Sequence, residues 1–360
     1  MNNDKIIITS PSLNPEENVS GISEVVRFII ANNQKHEYIH FEIGKKDNEK
    51  GRILQRVLRI VKTYRNWRQF LNEHPEALVH YNFPLDSKSV IRDYFFIKYA
   101  IKHNRRMLAH IHGGLYLTKK NRPRFINRMM QQIFSWEIQF AVLSDLEKKI
   151  IEDEFHAKHV SVLPNCVDLS DAQTFNRTCK KKGEPLTIGY LGRIEENKGI
   201  SWLLLAAEKL LSKGMKSRLV LAGKENGNNG YVEKFSQLLG DSFHYCGVVS
   251  GVSKRKFLRD LDVFVLPSYF EGLPMSLLET MSYGCVPVTT PVGSIPEVVR
   301  DGENGLIIKT KDERSIVEAL DRLNKDRNLL QCLSENARQT IFTKFSPKEY
   351  INHLNLLYES

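Results

Sequence analysis

The chain has 360 residues, 41% hydrophobic and 26% charged, a composition that reads as a soluble globular protein with room for two ordinary domains. No apolar run approaches the ~20 residues of a membrane-spanning helix, the opening MNNDKIIITS runs straight into a strand with no leader pattern, and five scattered cysteines (Cys166, Cys179, Cys246, Cys285, Cys332) form no C-x-x-C pair and read as buried, reduced thiols of a cytoplasmic protein. The net charge of +10 is uneven, with 26 Lys+Arg against 18 Asp+Glu in residues 1–165 and 26 against 24 in the rest, so a basic first half faces nucleic acid, an anionic membrane surface or a phosphorylated substrate.

β-Branched runs predict strands at 5–9, 38–43, 77–83, 107–112, 140–144 and 159–165, most of them followed by helical stretches. After the first strand, NVSGISEVVRFI (18–29) sets Gly21 in a loop that opens a helix. Next, GRILQRVLRIVKTYRNWRQFL (51–71) has helical spacing with two stripes. Arg52, Arg56, Arg59, Lys62, Arg65 and Arg68 form one, and Ile53, Val57, Ile60, Tyr64, Trp67 and Phe70 the other. Such a helix suits an anionic membrane, and equally an ordinary solvated face. MLAHIHGGLYL (107–117) ends a strand with His110 and His112 on one face. A zinc pair lacks a third ligand of fitting spacing. TKKNRPRFINRMM (118–130) adds five more cations. No nucleic-acid module is visible.

The polar stretch 168–185 reads as a linker, and the alternation then repeats with strands at 186–192, 217–223, 243–247, 263–268, 286–290 and 305–309. Two doubly wound α/β domains follow, at 1–167 and 186–343, with a cleft between the carboxyl ends of their sheets. In YFEGLPMSLLETMSYGCVPVTT (269–290), Glu271 and Glu279 lie eight positions apart around Pro274, which suits a first helical position. Free amides at such a helix start attract an anion. A carboxylate on either side suits a nucleoside diphosphate sugar, Glu279 for the ribose diol and Glu271 for the sugar. The spacing also fits a capping acid and a surface acid. Arg193 and Lys198 share one loop and suit a diphosphate.

Five stretches together carry a resemblance: LPNCVDLSD (163–171), LGRIEENKGI (191–200), LAGKENG (221–227), FHYCGVVS (243–250) and the long run 262–308. They resemble the family 4 retaining glycosyltransferases, closely over most of residues 140–310 and loosely before. The resemblance implies the GT-B fold, two Rossmann-like domains facing an inter-domain cleft, with the first on the acceptor side and a helix at 344–360 crossing back to it. It matches Glu271 to the donor sugar, Glu279 to the ribose, and Arg193 and Lys198 to the diphosphate. Gly272 and Leu273 match the donor loop, Val248 the base contact, Gly21 a phosphate-side turn with Ser20 where a second glycine is common, and His112 a catalytic-site histidine.

The implied reaction moves a sugar, with retention and no metal or other cofactor, from a nucleotide sugar to a glycan or lipid-linked acceptor. UDP-sugars are favoured over GDP-sugars. A bacterial surface polysaccharide pathway, in the cytoplasm or on the cytoplasmic membrane face, is the implied setting. A soluble transferase making a small glycoside and a non-catalytic nucleotide-sugar-binding subunit are the alternatives.

Overall fold

A computed structural model describes residues 4–18, 20–44, 53–86, 89–119, 121–178 and 180–360. The expectations on Gly51, Arg52, Lys120 and Cys179, and on the Ile53 side chain, lie outside the described residues. The strands are β1 (Lys5–Ser10), β2 (Glu37–Glu42), β3 (Leu78–Phe83), β4 (Met107–Ile111), β5 (Gln139–Val142), β6 (Val160–Val162), β7 (Leu186–Leu191), β8 (Ser217–Ala222), β9 (Phe243–Tyr245), β10 (Val263–Leu266), β11 (Val286–Thr289) and β12 (Leu306–Ile307). Several end sooner than their apolar runs. Ser144, for example, leaves the strand to cap helix Asp145–Phe155 and accepts from Glu147 N.

The strands make two six-stranded sheets, β2-β1-β3-β4-β5-β6 and β12-β11-β10-β7-β8-β9. Every pairing is parallel. Helices on both faces bury the central strands completely, so β10 reads as an unbroken apolar run, while β3 and β4 bury His80, Asn82 and His110 among their apolar residues. In the first sheet the connections reverse direction between β1 and β3. In the second they reverse between β7 and β10. Open parallel sheets bind ligands at the carboxyl ends of strands flanking such a reversal.

The chain divides into two compact units, Met1–Asn165 with Lys348–Ser360, and Cys166–Pro347. The stretch read as a linker is packed on the second unit and contains helix Ser170–Thr174. Arg177 donates to Tyr283 O at 2.6 Å, and Arg338 donates to Phe175 O at 2.6 Å and Ala172 O at 2.7 Å. Arg177 and the backbone carbonyls of the stretch thus tie it to the second unit, and it is not a solvated tether. The last helix, Pro347–Glu359, belongs to the first unit from Lys348 onward. There Asn33 Nδ2 donates to Asn355 Oδ1 at 2.7 Å, and Arg106 donates to Tyr358 O at 2.5 Å.

Helix Ile53–Glu73 departs from its expected two-stripe packing. Trp67 and Leu71 are fully buried, and Trp67 Nε1 donates to Phe96 O at 3.1 Å. Leu54, Val57, Leu58, Ile60 and Val61 are exposed, Leu54 by 70%. A helix of this length runs about 31 Å, while the neighbouring six-residue strands span about 20 Å, so its first turns outrun the sheet. The thiols also differ from expectation: Cys166 and Cys285 are buried, Cys246 is intermediate and Cys332 is exposed. Among the described residues no helix is long and apolar enough to cross a membrane.

Candidate functional site

The second sheet's reversal gathers two of the expected residues. β7 ends at Leu191, and its loop closes in a short 3-10 turn, Glu196–Lys198. β10 ends at Leu266, and its loop carries Glu271. Lys198 Nζ lies 2.7 Å from Glu271 Oε1, which also accepts from Ser268 Oγ at 2.7 Å. Both side chains of the ion pair are largely buried. Two glycines hold the loops at this spacing. A Cβ on Gly199 (φ +73°) would lie 2.0 Å from Pro267 O, and one on Gly293 (φ +56°) would lie 2.0 Å from Glu271 O. Ser294 N donates to Gly272 O at 3.1 Å, and Thr290 Oγ1 donates to Ser268 O at 2.6 Å. The Glu271 loop therefore rests on the loop after β11.

Arg193 is in the same loop as Lys198 but its side chain is half exposed, 4.0 Å from Glu195. Its carbonyl accepts from Tyr190 OH at 2.5 Å. Pro274 stands one position earlier than expected, as the cap before helix Met275–Ser282 rather than its first residue, because its carbonyl already accepts from Leu277 N at 3.1 Å. It supplies no side-chain cap. Leu273 is buried. Val248 is 48% exposed just beyond β9. Glu279 takes a hydrogen bond from Lys254 Nζ at 2.5 Å, both side chains being more than four-fifths buried. It borders a cavity of about 450 Å³ lined also by Asp171, Lys254, Arg255 and Tyr283. Each glutamate is thus already matched with a lysine.

In the first unit, Gly21 begins helix Gly21–Asn32 with Ser20 as its cap, and nothing lies within 4 Å of a Cβ built on Gly21. His112 follows β4 directly. Its Nε2 meets Asn82 Oδ1, and its ring centroid lies 4.0 Å from that of His110. His110 Nδ1 is 3.2 Å from His80 Nε2, and His80 Nδ1 is 2.7 Å from Tyr358 OH. The histidine pair therefore has a third ring beside it, from β3. They form a row, and among the described residues no group of three or more His, Cys, Asp or Glu is arranged to hold a metal. Arg122, counted in the basic stretch 118–130, is committed to Leu117 O at 3.1 Å and Glu154 at 2.6 Å.

Burial holds the row neutral. It pushes His110 down to about 3, and it pushes His80 and His112 well below 6.5, helped at His112 by the other two rings. In the unfolded chain each histidine takes its proton near pH 6.5, whereas the folded chain resists it. Stability is therefore full above that pH and falls as pH drops below about 6.5 towards the folded values, by up to about 1.4 kcal/mol per histidine per pH unit. Thermal midpoints measured between pH 7.5 and 5 should fall accordingly, and His110→Phe should flatten the slope. An unchanged slope would show that the row does not govern it.

Asn82, His80, Ser268 and Lys254 escaped the sequence reading. Asn82 and Ser268 stand at the carboxyl ends of β3 and β10, a signal that was legible. Nothing in the sequence joins Lys254 to Glu279.

Residues 171–340 match the family described as Glycosyl transferases group 1. The Staphylococcus aureus capsular polysaccharide biosynthesis glycosyltransferase CapM is 26% identical, over 69% of this chain and 68% of its own length. The uncharacterized glycosyltransferase MJ1607 of Methanocaldococcus jannaschii is 28% identical, over 51% of this chain and 48% of its own length. The chain thus spans about half to two-thirds of these relatives. Among solved structures, sucrose-phosphate synthase from Thermosynechococcus elongatus superposes with a TM-score of 0.79 at 17% identity, covering 99% of this chain and 98% of that one. Anabaena HepE, solved in complex with UDP and glucose, gives 0.72 at 14%, covering 98% and 99%. With the two parallel sheets, these likenesses identify an α/β, two-domain Rossmann-like fold of the GT-B type.

Proposed function

We propose that this chain, whose residues 171–340 carry the group 1 glycosyltransferase match, is a retaining family 4 enzyme. It transfers a sugar from a nucleotide diphosphate sugar, a UDP-sugar before a GDP-sugar, to a glycan or lipid-linked acceptor in polysaccharide biosynthesis. The observation that carries this reading is the Lys198–Glu271 pair at the reversal of the second sheet. It sets a cation for the diphosphate against an acceptor for sugar hydroxyls. Arg193, with its free reach, joins Lys198 on the diphosphate, and Glu279 takes the ribose diol. The backbone of Gly272 and Leu273 borders the donor, and Val248 borders the base. Gly21 and His112 are the first unit's contribution.

In the step itself the bond from the anomeric carbon to the phosphate oxygen breaks, and its electron pair leaves with the diphosphate. The acceptor oxygen bonds the same face of that carbon, and its proton passes to the departing phosphate oxygen. Lys198, Arg193 and the helix start at Met275 stabilise the growing negative charge without a metal. Nucleotide-sugar screening by thermal shift finds the donor, since ligand at 100 times its dissociation constant adds about 2.7 kcal/mol. Proton NMR of the product reads the anomeric configuration. Glu279→Ala should weaken binding of the free diphosphate in calorimetry. Glu271→Ala should spare that binding and depress turnover. Wild-type affinity in Glu279→Ala would remove the ribose role.

The exposed first turns of helix Ile53–Glu73 support docking on the cytoplasmic face of an anionic membrane. Leu54, Val57, Leu58 and Val61 recur at helical spacing among Arg56, Arg59, Lys62 and Arg65. Each cation near an anionic surface contributes about 1 kcal/mol and is screened by salt, while the apolar side chains hold regardless of salt. Reversing Arg56, Arg59 and Arg65 to glutamate should abolish co-sedimentation with anionic vesicles and leave nucleotide binding unchanged. A wild type that ignores such vesicles at low salt would favour a soluble acceptor.

A further inference from the structure

We propose that Asn82 is a positioning residue that holds His112 as its Nε2–H tautomer, so that the ring offers a ligand the lone pair of Nδ1. The argument begins at the reversal of the first sheet. Asn82 is the fifth residue of β3, and Thr9 stands near the end of β1, the strand across that reversal. The Asn82 backbone N–H donates to Thr9 Oγ1 at 3.0 Å, and its Nδ2 donates to Thr9 O at 2.7 Å. A carbonyl oxygen only accepts, so the amide edge facing Thr9 is the NH2. The other edge, Oδ1, then faces the His112 ring, where it too can only accept. Nε2 of His112 must therefore carry the hydrogen. The backbone leaves the ring little freedom to evade this, because His112 N donates to Phe83 O at 3.0 Å and continues the β3–β4 ladder.

Burial and the two neighbouring rings keep His112 neutral around pH 7. With one proton on the ring and that proton on Nε2, Nδ1 bears the lone pair. Among the described residues Nδ1 has no partner, and it is not among the sealed, unsatisfied polar atoms, whereas Nε2 of His110 is. An imidazole presented this way takes a hydrogen bond from a hydroxyl and repels a phosphate oxygen. The opposite tautomer would donate from Nδ1 to a phosphate or hydroxyl oxygen and could accept nothing there. Asn82 thereby decides whether His112 accepts from a ligand hydroxyl or donates to a ligand oxygen. The choice of tautomer rests on geometry alone, and its use in sugar transfer rests on the function proposed above.

The test is a long-range proton–nitrogen NMR spectrum of the ligand-free protein labelled with 15N at histidine, with the His112 signals identified by their loss in His112→Gln. The wild type should show a protonated Nε2 and an unprotonated Nδ1 throughout pH 6–8. Asn82→Ala should lose this preference and give a mixture or the Nδ1–H form. Asn82→Asp keeps an acceptor against the ring and should restore Nε2–H. In kinetics, Asn82→Ala should lower turnover on the order of tenfold while the dissociation constant of the free diphosphate stays unchanged, since an imidazole in the wrong tautomer fails in the reaction rather than in nucleotide binding. A protonated Nδ1 in the wild type overturns the proposal even if every variant fails to fold. An Nε2–H ring persisting in Asn82→Ala also overturns it. Because the spectrum is taken without donor, the tautomer stands or falls independently of whether any nucleotide sugar is turned over.

Discussion

Lys198→Ala is expected to reduce turnover about 10²–10³-fold, on the order of 2.7–4 kcal/mol of transition-state stabilisation. Lys198 Nζ is held 2.7 Å from Glu271 in a largely buried position, so the chain does not pay to order it when the diphosphate begins to leave. Charge on the leaving oxygen grows in the transition state, and a fixed cation gains most there. Removing Lys198 also leaves the Glu271 carboxylate buried with Ser268 Oγ still donating to it but no cation beside it among the described residues, which costs more than the pair contributes in the intact protein. Lys198→Ala with Glu271→Gln isolates the stability effect: the neutral amide relieves the buried charge, so stability should recover, whereas turnover stays low because Glu271 is itself needed for the reaction. Turnover should survive EDTA. Activity lost to EDTA and regained with Mg²⁺ would sink the metal-free mechanism, and a Lys198→Ala enzyme within a few-fold of wild type would remove the diphosphate role.

Gly293→Ala is expected to be the most damaging change outside the charged residues. Its φ of +56° disfavours any side chain, and the new Cβ would lie 2.0 Å from Glu271 O, 2.8 Å from Glu271 C and 3.0 Å from Gly272 O. These are backbone atoms, which cannot turn aside as the end of a side chain can. The Glu271 loop must move, with a stability loss of about 3 kcal/mol from backbone strain and crowding together. Turnover should fall with it, because the displaced loop carries Glu271 away from Lys198. Gly214→Ala is the control: its φ of +72° is also left-handed but nothing lies within 4 Å of its Cβ, so only the conformational cost of about 1 kcal/mol remains. Equal urea midpoints for the two variants would show that contact with Glu271 is not what Gly293 avoids.

Much of this molecule was legible along the chain. All the strands but β9, whose run FHYCG is aromatic, lie within or against a run recognisable by its β-branched residues, and the break in the pattern after residue 167 marks where the second alternation begins. These features are local: a strand buried on both faces must be apolar over consecutive residues, and a helix start needs its cap beside it, as at Ser20 and Ser144. Lys198 and Glu271 were also legible as residue types at strand-end loops. That they touch was not. They are 73 positions apart, and they meet because β7 and β10 are neighbours across the reversal of the second sheet. The same holds for Asn82 against Thr9, 73 positions away across β1 and β3, and for His80 against Tyr358, 278 positions away on the last helix.

By itself the sequence determined the element order, the α/β class and the loops that carry charge, since hydrophobic periodicity and capping act over a few residues. The tertiary structure decided the partners: Lys198 for Glu271, Lys254 for Glu279, Asn82 for His112. It also decided that the basic helix would expose apolar residues at its first turns. Strand order brings distant loops together and helix length is measured against the sheet it covers, and neither quantity is written in any short stretch of the chain.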